Sequence, residues 1–278
     1  MTVLQQRFFF GTLLLGGVLL ALFADQRLST SGFFLALIVL FGGVSWIEFS
    51  RMTGIAWRAA FATGLVAVVA LPIVAWLTRR GDLPVWGTAG AIELGIVAAV
   101  PFFLSALCFT REPNAERVKW LTHTTLGVAY LGIPLWFVVQ LRLAEKGGSW
   151  IFLAVLLIKG NDIGAYLVGR AIGRTPLTPV SPKKTVEGAL GGLSLGILVA
   201  LAFVWPLGLT DLRTALMIGL LGGVAGQAGD LAESLFKRAF GVKDSGALVP
   251  AFGGALDMLD SILLGVPVIW AVKVAMGA

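Results

Sequence analysis

The chain has 278 residues, of which 58% are hydrophobic and only 13% charged, and its mean hydropathy is +0.92. Soluble domains average about 45–50% apolar and about 25% charged residues, so a soluble globular protein is excluded and the bilayer must solvate most of this surface. The formal charge of +6 comes without aromatic residues interleaved among the basic ones, so it reads as membrane topology and attraction to anionic headgroups, with no nucleic acid as partner.

A spanning helix needs about 20 mainly apolar residues. In chain order the stretches that qualify are 8–24, 33–49, 59–77, 87–109, 124–141, 150–169, 187–206, 212–229 and 252–274. The predicted fold class is therefore all-α, a polytopic integral membrane protein with about nine transmembrane helices. Continuous rather than alternating apolar runs favour helices over a barrel. The first run follows a short basic start but lacks an A-x-A cleavage pattern, and it reads as a retained helix. Cys108 is the single cysteine; it rules out an internal disulfide and reads as a small buried hydrophobe.

Nine spans put the termini on opposite sides. One side collects Arg7, Arg51, Arg58, Arg111, Arg117, Lys119, Arg170, Arg174, Lys183, Lys184, Lys237, Arg238 and Lys243, 13 basic residues against 7 on the other, which places that side in the cytoplasm. No internal repeat is visible. Up to the fifth span, ionisable groups inside helices are few, mainly Glu48 and Glu93, and the sequence suggests no role for either. The chain divides into N-terminal helices over 1–145 and a polar-rich region of helices and cytoplasmic loops over 146–278, where the chemistry is expected.

Three stretches in that region could carry chemistry. In "KGNDIGAYLVGRAIGR", residues 159–174, Asp162, Tyr166 and Arg170 fall roughly on one helix face. Lys159 or Arg170 could pair with Asp162 as packing, but an ionisable residue inside a membrane is by default a functional candidate. In "TPVSPKKTVEGALGG", residues 178–192, Ser181 and Pro182 read as the N-cap and first residue of the seventh helix, which puts Lys183, Lys184 and Thr185 in its first turn. Lysines there suit a bound anion, either a lipid headgroup or a polyphosphate. Gly188, Gly192 and Gly196 are expected to allow close helix packing. In residues 226–261, Asp230 and Glu233 share a face, Lys237, Arg238, Lys243 and Asp244 follow, and Asp257 and Asp260 open the last span. Clustered carboxylates beside clustered lysines suggest Mg²⁺ with a phosphorylated ligand, since Mg²⁺ typically takes one or two carboxylates plus phosphate oxygens. With one histidine, His123, and one cysteine, a zinc site rich in either is excluded. No P-loop or nucleophile-elbow motif is present.

These pieces, "NDIGAYLVGRAIGR", "SPKKTVEGALGG" and "GDLAESLFKR…VKDSGALVP…GG…LD…DS", resemble in order and spacing the phosphatidate cytidylyltransferase (CDP-diacylglycerol synthase) family over roughly residues 159–265. The resemblance implies an enzyme that transfers a cytidylyl group from CTP to phosphatidic acid, giving CDP-diacylglycerol and pyrophosphate in phospholipid biosynthesis. It implies Mg²⁺ as cofactor, held by Asp230 and Asp257 with Asp260 and Glu233 in support, and a monovalent cation such as K⁺ sharing the metal site. Asp230, Asp257, Asp260, Lys237, Lys243 and Asp244 are the expected catalytic residues. Asp162, Tyr166, Arg170, Ser181, Lys183, Lys184, Thr185, Glu187, Ser234 and Arg238 are the expected substrate-binding residues. The family is homodimeric, which assigns dimer and lipid contacts to the N-terminal helices. The implied location is a bacterial inner (cell) membrane with the active site facing the cytoplasm.

Two positions depart from the family pattern. Where it shows G-H-G-G and then D-R, this chain has Phe252 and Met258, while both aspartates remain. Phenylalanine donates no hydrogen bond and methionine neutralises no phosphate. Other readings therefore stay open: a catalytically impaired member acting as a membrane scaffold or lipid-binding protein, or a CTP-dependent transferase with a different lipid acid. A secondary transporter is disfavoured by the absence of a repeat.

Overall fold

The computed structural model describes residues 3–28, 30–80, 95, 99–100, 103–104, 106, 114–246 and 253–278. Glu93, Cys108 and Phe252 lie outside the described residues, as does most of the span expected at 87–109. The described residues are almost wholly helical: α1 (Val3–Arg27), α2 (Gly32–Thr53), α3 (Arg58–Arg80), α4 (Ala115–Leu143), α5 (Gly147–Ile172), α6 (Val186–Val204), α7 (Leu212–Ala239) and α8 (Ala255–Ala275). Among the described residues seven helices, α2 to α8, are long and apolar enough to cross a membrane. The all-α membrane architecture is as expected. The count of nine is matched at those seven positions only, with the expected span at 8–24 falling inside α1.

Local sequence explains the helix ends. Gly54, at φ +70°, closes α2 by donating its N–H to Arg51 O while Ile55 N reaches Ser50 O, the left-handed ending that glycine tolerates. Asn114 caps α4 by accepting from Glu116 N at 2.8 Å. Asp211 caps α7 by accepting from Thr214 N at 2.7 Å, and that hydrogen bond holds its carboxyl below the usual carboxylate range. Helices α4 and α7 each contain one π-helical turn, Val128–Gly132 and Ile218–Gly222.

The chain forms two compact units. The first comprises Met1–Leu143 and Asp244–Met258, the second Ala144–Lys243 and Leu259–Ala278. The segment Asp244–Met258, from the later part of the chain, thus belongs to the first unit. In the first unit, Trp46 and Phe49 of α2, Leu71 of α3 and Leu131 and Leu135 of α4 are fully buried, and the Trp46 indole N–H donates to Phe61 O at 3.0 Å. Buried Asp25 accepts from Phe33 N and Phe34 N at the start of α2 and pairs with Arg142 at 3.2 Å.

In the second unit, Trp150, Leu153, Leu157 and Ile158 of α5, Ile218 of α7, and Leu263 and Ile269 of α8 are buried. A polar clasp ties α5, α6 and α7: Asn161 Nδ2 donates to Gly223 O at 2.7 Å, just past the π turn, and Gln227 Nε2 donates to Asn161 Oδ1 and Ala189 O, each at 2.8 Å. Helices α5 and α6 meet closely at Gly192, where an added Cβ would run into Asn161 Oδ1 and its backbone carbonyl. Gly192→Ala is therefore expected to destabilise by about 1–3 kcal/mol, read as a lower unfolding midpoint in detergent. Gly148→Ala, at a position with nothing within 4 Å, should leave the midpoint unchanged.

Candidate active site

The lysine-rich loop is a small hairpin. Leu177 N donates to Lys184 O at 2.8 Å and Val186 N to Thr175 O at 2.9 Å, with a bridge between Pro176 and Thr185. Ser181 does not cap a helix. It sits in the turn at the hairpin tip, where its carbonyl accepts from Lys184 N at 3.0 Å. The N-cap of α6 is Thr185, whose extended backbone (φ −120°, ψ 155°) lets Oγ1 accept from Gly188 N at 3.1 Å. The physical reason is that residues 182–184 are committed to the turn and the hairpin, so Lys183 and Lys184 precede the helix. The Glu187 carboxylate folds back to accept from Arg174 N, Thr175 N and Thr175 Oγ1, at 2.9–3.2 Å, and holds the base of the hairpin.

Held this way, Lys184 reaches Asp230 of α7 at 2.5 Å, both side chains about one-third exposed, while Lys183 is exposed. Lys159 of α5 pairs with Asp162 at 3.2 Å. Ser261 Oγ lies 2.8 Å from Asp260 Oδ1 and 3.2 Å from Asp162 Oδ2, so its hydroxyl stands between carboxylates of α5 and α8 and can donate to either. Asp260 is buried within electrostatic reach of Lys159, Asp230 and Asp162. The second unit thus gathers three carboxylates, Asp162, Asp230 and Asp260, around two ammonium groups, Lys159 and Lys184.

The other expected residues of this unit have partners of their own or are partly or fully exposed. Arg170 bonds the Tyr166 hydroxyl at 3.1 Å rather than Asp162, and both are exposed. Glu233 is fully buried and accepts from Lys237 at 2.5 Å. Ser234 is half-buried on α7, Arg238 is exposed and reaches Val242 O at 3.4 Å, and Lys243 is exposed.

Asp244 and Asp257 belong to the first unit. Asp244 is exposed. Asp257 Oδ2 accepts from Ser245 N at 2.9 Å, Ser245 Oγ at 2.7 Å and Gly254 N at 2.7 Å. Met258, in the family's arginine position, is buried. Glu48 of α2 is also buried here, accepting from Ala255 N at 3.0 Å and Leu256 N at 2.9 Å.

A divalent metal can be tested against this geometry. Among the described residues no three His, Cys, Asp or Glu side chains converge into a protein-only cage. Mg²⁺ does not require one: a carboxylate or two, completed by phosphate oxygens and water, is its usual protein environment. The hard oxygen donors Asp162, Asp230 and Asp260, each already balanced by a lysine or a hydroxyl, fit a cation that arrives with a polyphosphate.

Residues 5–276 match the Cytidylyltransferase family. The chain belongs to that family. Among its relatives, the phosphatidate cytidylyltransferase of Staphylococcus epidermidis (strain ATCC 12228 / FDA PCI 1200) is 34% identical over 94% of this chain and 92% of its own length. The proteins of the same name from Staphylococcus aureus (strain COL) and Staphylococcus haemolyticus (strain JCSC1435) are each 33% identical over the same shares. The match to this cytidylyltransferase family extends well beyond the C-terminal motifs and takes in Glu48, for which sequence reasoning had no role. Sequence reasoning also missed Ser245 and Ser261, short side chains that each have a partner distant in the sequence, Glu48 for Ser245 and Asp162 for Ser261. The signal for Glu48 was present: a carboxylate in an apolar helix needs a compensating partner.

Proposed function

We propose that this chain transfers the cytidylyl group of CTP to phosphatidic acid, giving CDP-diacylglycerol and pyrophosphate. The observation that carries the reading is the interleaved charge of Lys159, Lys184, Asp162, Asp230 and Asp260 in a chain that matches the cytidylyltransferase family almost end to end. A phosphate oxygen of the lipid forms a new bond to the α-phosphorus of CTP, and the α–β phosphoanhydride bond breaks to release pyrophosphate. Lys183, Lys184, Lys237 and Arg238 bind and orient the phosphates, while Asp162, Tyr166, Arg170, Ser181, Ser234, Lys243 and Asp244 shape the site. Thr185 and Glu187 act through the hairpin, keeping Lys183 and Lys184 at its tip. Asp230, with Asp162 and Asp260, would hold Mg²⁺, which would supply charge neutralisation on the nucleotide phosphates, a role that K⁺ would share; Asp257, which the family resemblance adds to the metal set, is tested by substitution. Positioning and fixed charge do most of the work, as in other phosphoryl-type transfers. We place the chain in a bacterial cell membrane as a homodimer, with this chemistry on the cytoplasmic side.

The test is direct. Purified chain is incubated with labelled CTP, Mg²⁺ and phosphatidic acid, and lipid extracts are examined for CDP-diacylglycerol. Absence of product at every Mg²⁺ level and acyl length sinks the reading and favours a scaffold. A second reading, a different lipid acid as acceptor, draws on Met258, a buried apolar side chain where the family places a cation. Faster turnover of an isoprenoid-chain phosphate than of phosphatidic acid in the same assay would select it.

A further inference from the structure

We propose that Glu48 is a positioning residue: from α2 its buried carboxylate fixes the first turn of α8 and thereby holds Asp257 in one orientation. The first N–H groups of any helix lack intrahelical acceptors and need a cap. The residues that precede α8, Gly253 and Gly254, offer no side chain to the N–H groups of Ala255 and Leu256, and Asp257 of α8 is turned back to Gly254 N. Gly253 takes φ +91°, a conformation that costs other residues strain. Glu48 supplies the missing cap from a distant part of the chain, one oxygen to Ala255 N and the other to Leu256 N. A negative group there also complements the positive end of the helix dipole.

Gly254 is the reason Glu48 can come so near. A Cβ at that position would fall on the Glu48 carboxylate and on Ser245 Oγ. Ser245 then completes the arrangement. Its one hydroxyl proton goes to Asp257 Oδ2 at 2.7 Å rather than to Glu48 Oε2 at 3.4 Å. Asp257 Oδ2 also receives Gly254 N, one residue before the pair that Glu48 holds. Glu48 and Asp257 thus hold three consecutive N–H groups of the same turn, Gly254, Ala255 and Leu256, so release of one loosens the other.

The kinetic half of this inference rests on the cytidylyl-transfer reading. Glu48→Gln keeps the size but offers one acceptor oxygen and turns an amide N–H toward a backbone N–H. With the full chain in detergent, its kcat should fall by about tenfold or more while KM for CTP and for phosphatidic acid stays within about twofold. Amide exchange at Ala255 and Leu256 should speed up by about tenfold with the unfolding midpoint unchanged. Glu48→Ala should be worse on both measures, and if it fails to fold, Glu48→Gln carries the test. A wild-type kcat in Glu48→Gln overturns the inference. So does a loss that follows a lowered midpoint and recovers on cooling, the mark of a purely structural residue. If the wild-type chain makes no product, the transferase reading is what fails, and exchange at Ala255 and Leu256 then decides whether Glu48 holds the turn.

Discussion

Asp257→Asn is expected to lower CDP-diacylglycerol formation by about 100-fold or more while the chain stays folded. The asparagine carbonyl can still accept the hydrogen bonds that Ser245 N, Ser245 Oγ and Gly254 N direct at Oδ2, so the start of α8 keeps its support. What disappears is the charge. If Asp257 serves only to fasten the Ser245 segment, the amide will serve nearly as well, and turnover within about threefold of wild type would remove Asp257 from the catalytic set. Turnover and the unfolding midpoint, measured on the same preparation, separate the two cases.

Lys159→Met is expected to have the next largest effect, and on a different parameter. Lys159 pairs with Asp162 and lies within electrostatic reach of Asp230 and Asp260. Without it, Asp162 loses its ion-pair partner while Lys184 stays with Asp230, and the surplus negative charge opposes a polyanionic nucleotide. Unit charges 4 Å apart interact by about 4 kcal/mol at an effective dielectric of about 20, so even a half-screened imbalance is felt. The apparent affinity for CTP should fall by about 30-fold, or about 2 kcal/mol. Lys159→Arg should restore most of it. Lys159→Met combined with Asp162→Asn should recover part of the loss, because the charge left unbalanced is then removed. A CTP affinity within about twofold of wild type in Lys159→Met would show that these carboxylates do not face the nucleotide.

The two predictions draw on different sources. Asp257 was visible in the sequence as an acid opening an apolar run, and its neighbours Ser245 and Gly254 were not. Lys159 was visible only as one of two candidate partners for Asp162. The structure selects it over Arg170, which turns to the Tyr166 hydroxyl. Ser181 shows the opposite failure. A serine followed by proline before an apolar run has the local chemistry of an N-cap, but the hairpin pairing of residues 175–186 moves the cap to Thr185. A cap is chosen by where the chain bends, and that bend is made by contacts several residues away.

The sequence by itself determined the membrane setting, the all-α class, most helix positions and the order of the three charged motifs. Each of these follows from short-range properties: the hydrophobic length needed to cross a bilayer, helical periodicity, and the cost of placing ions in lipid. Tertiary structure alone decided which charges meet. It set Lys184 against Asp230, linked Asp162 to Asp260 through Ser261, and brought Glu48 to a helix that begins 207 residues later. A buried carboxylate announces in the sequence that a partner must exist. Its partner depends on which helices pack together, and that is a property of the whole chain.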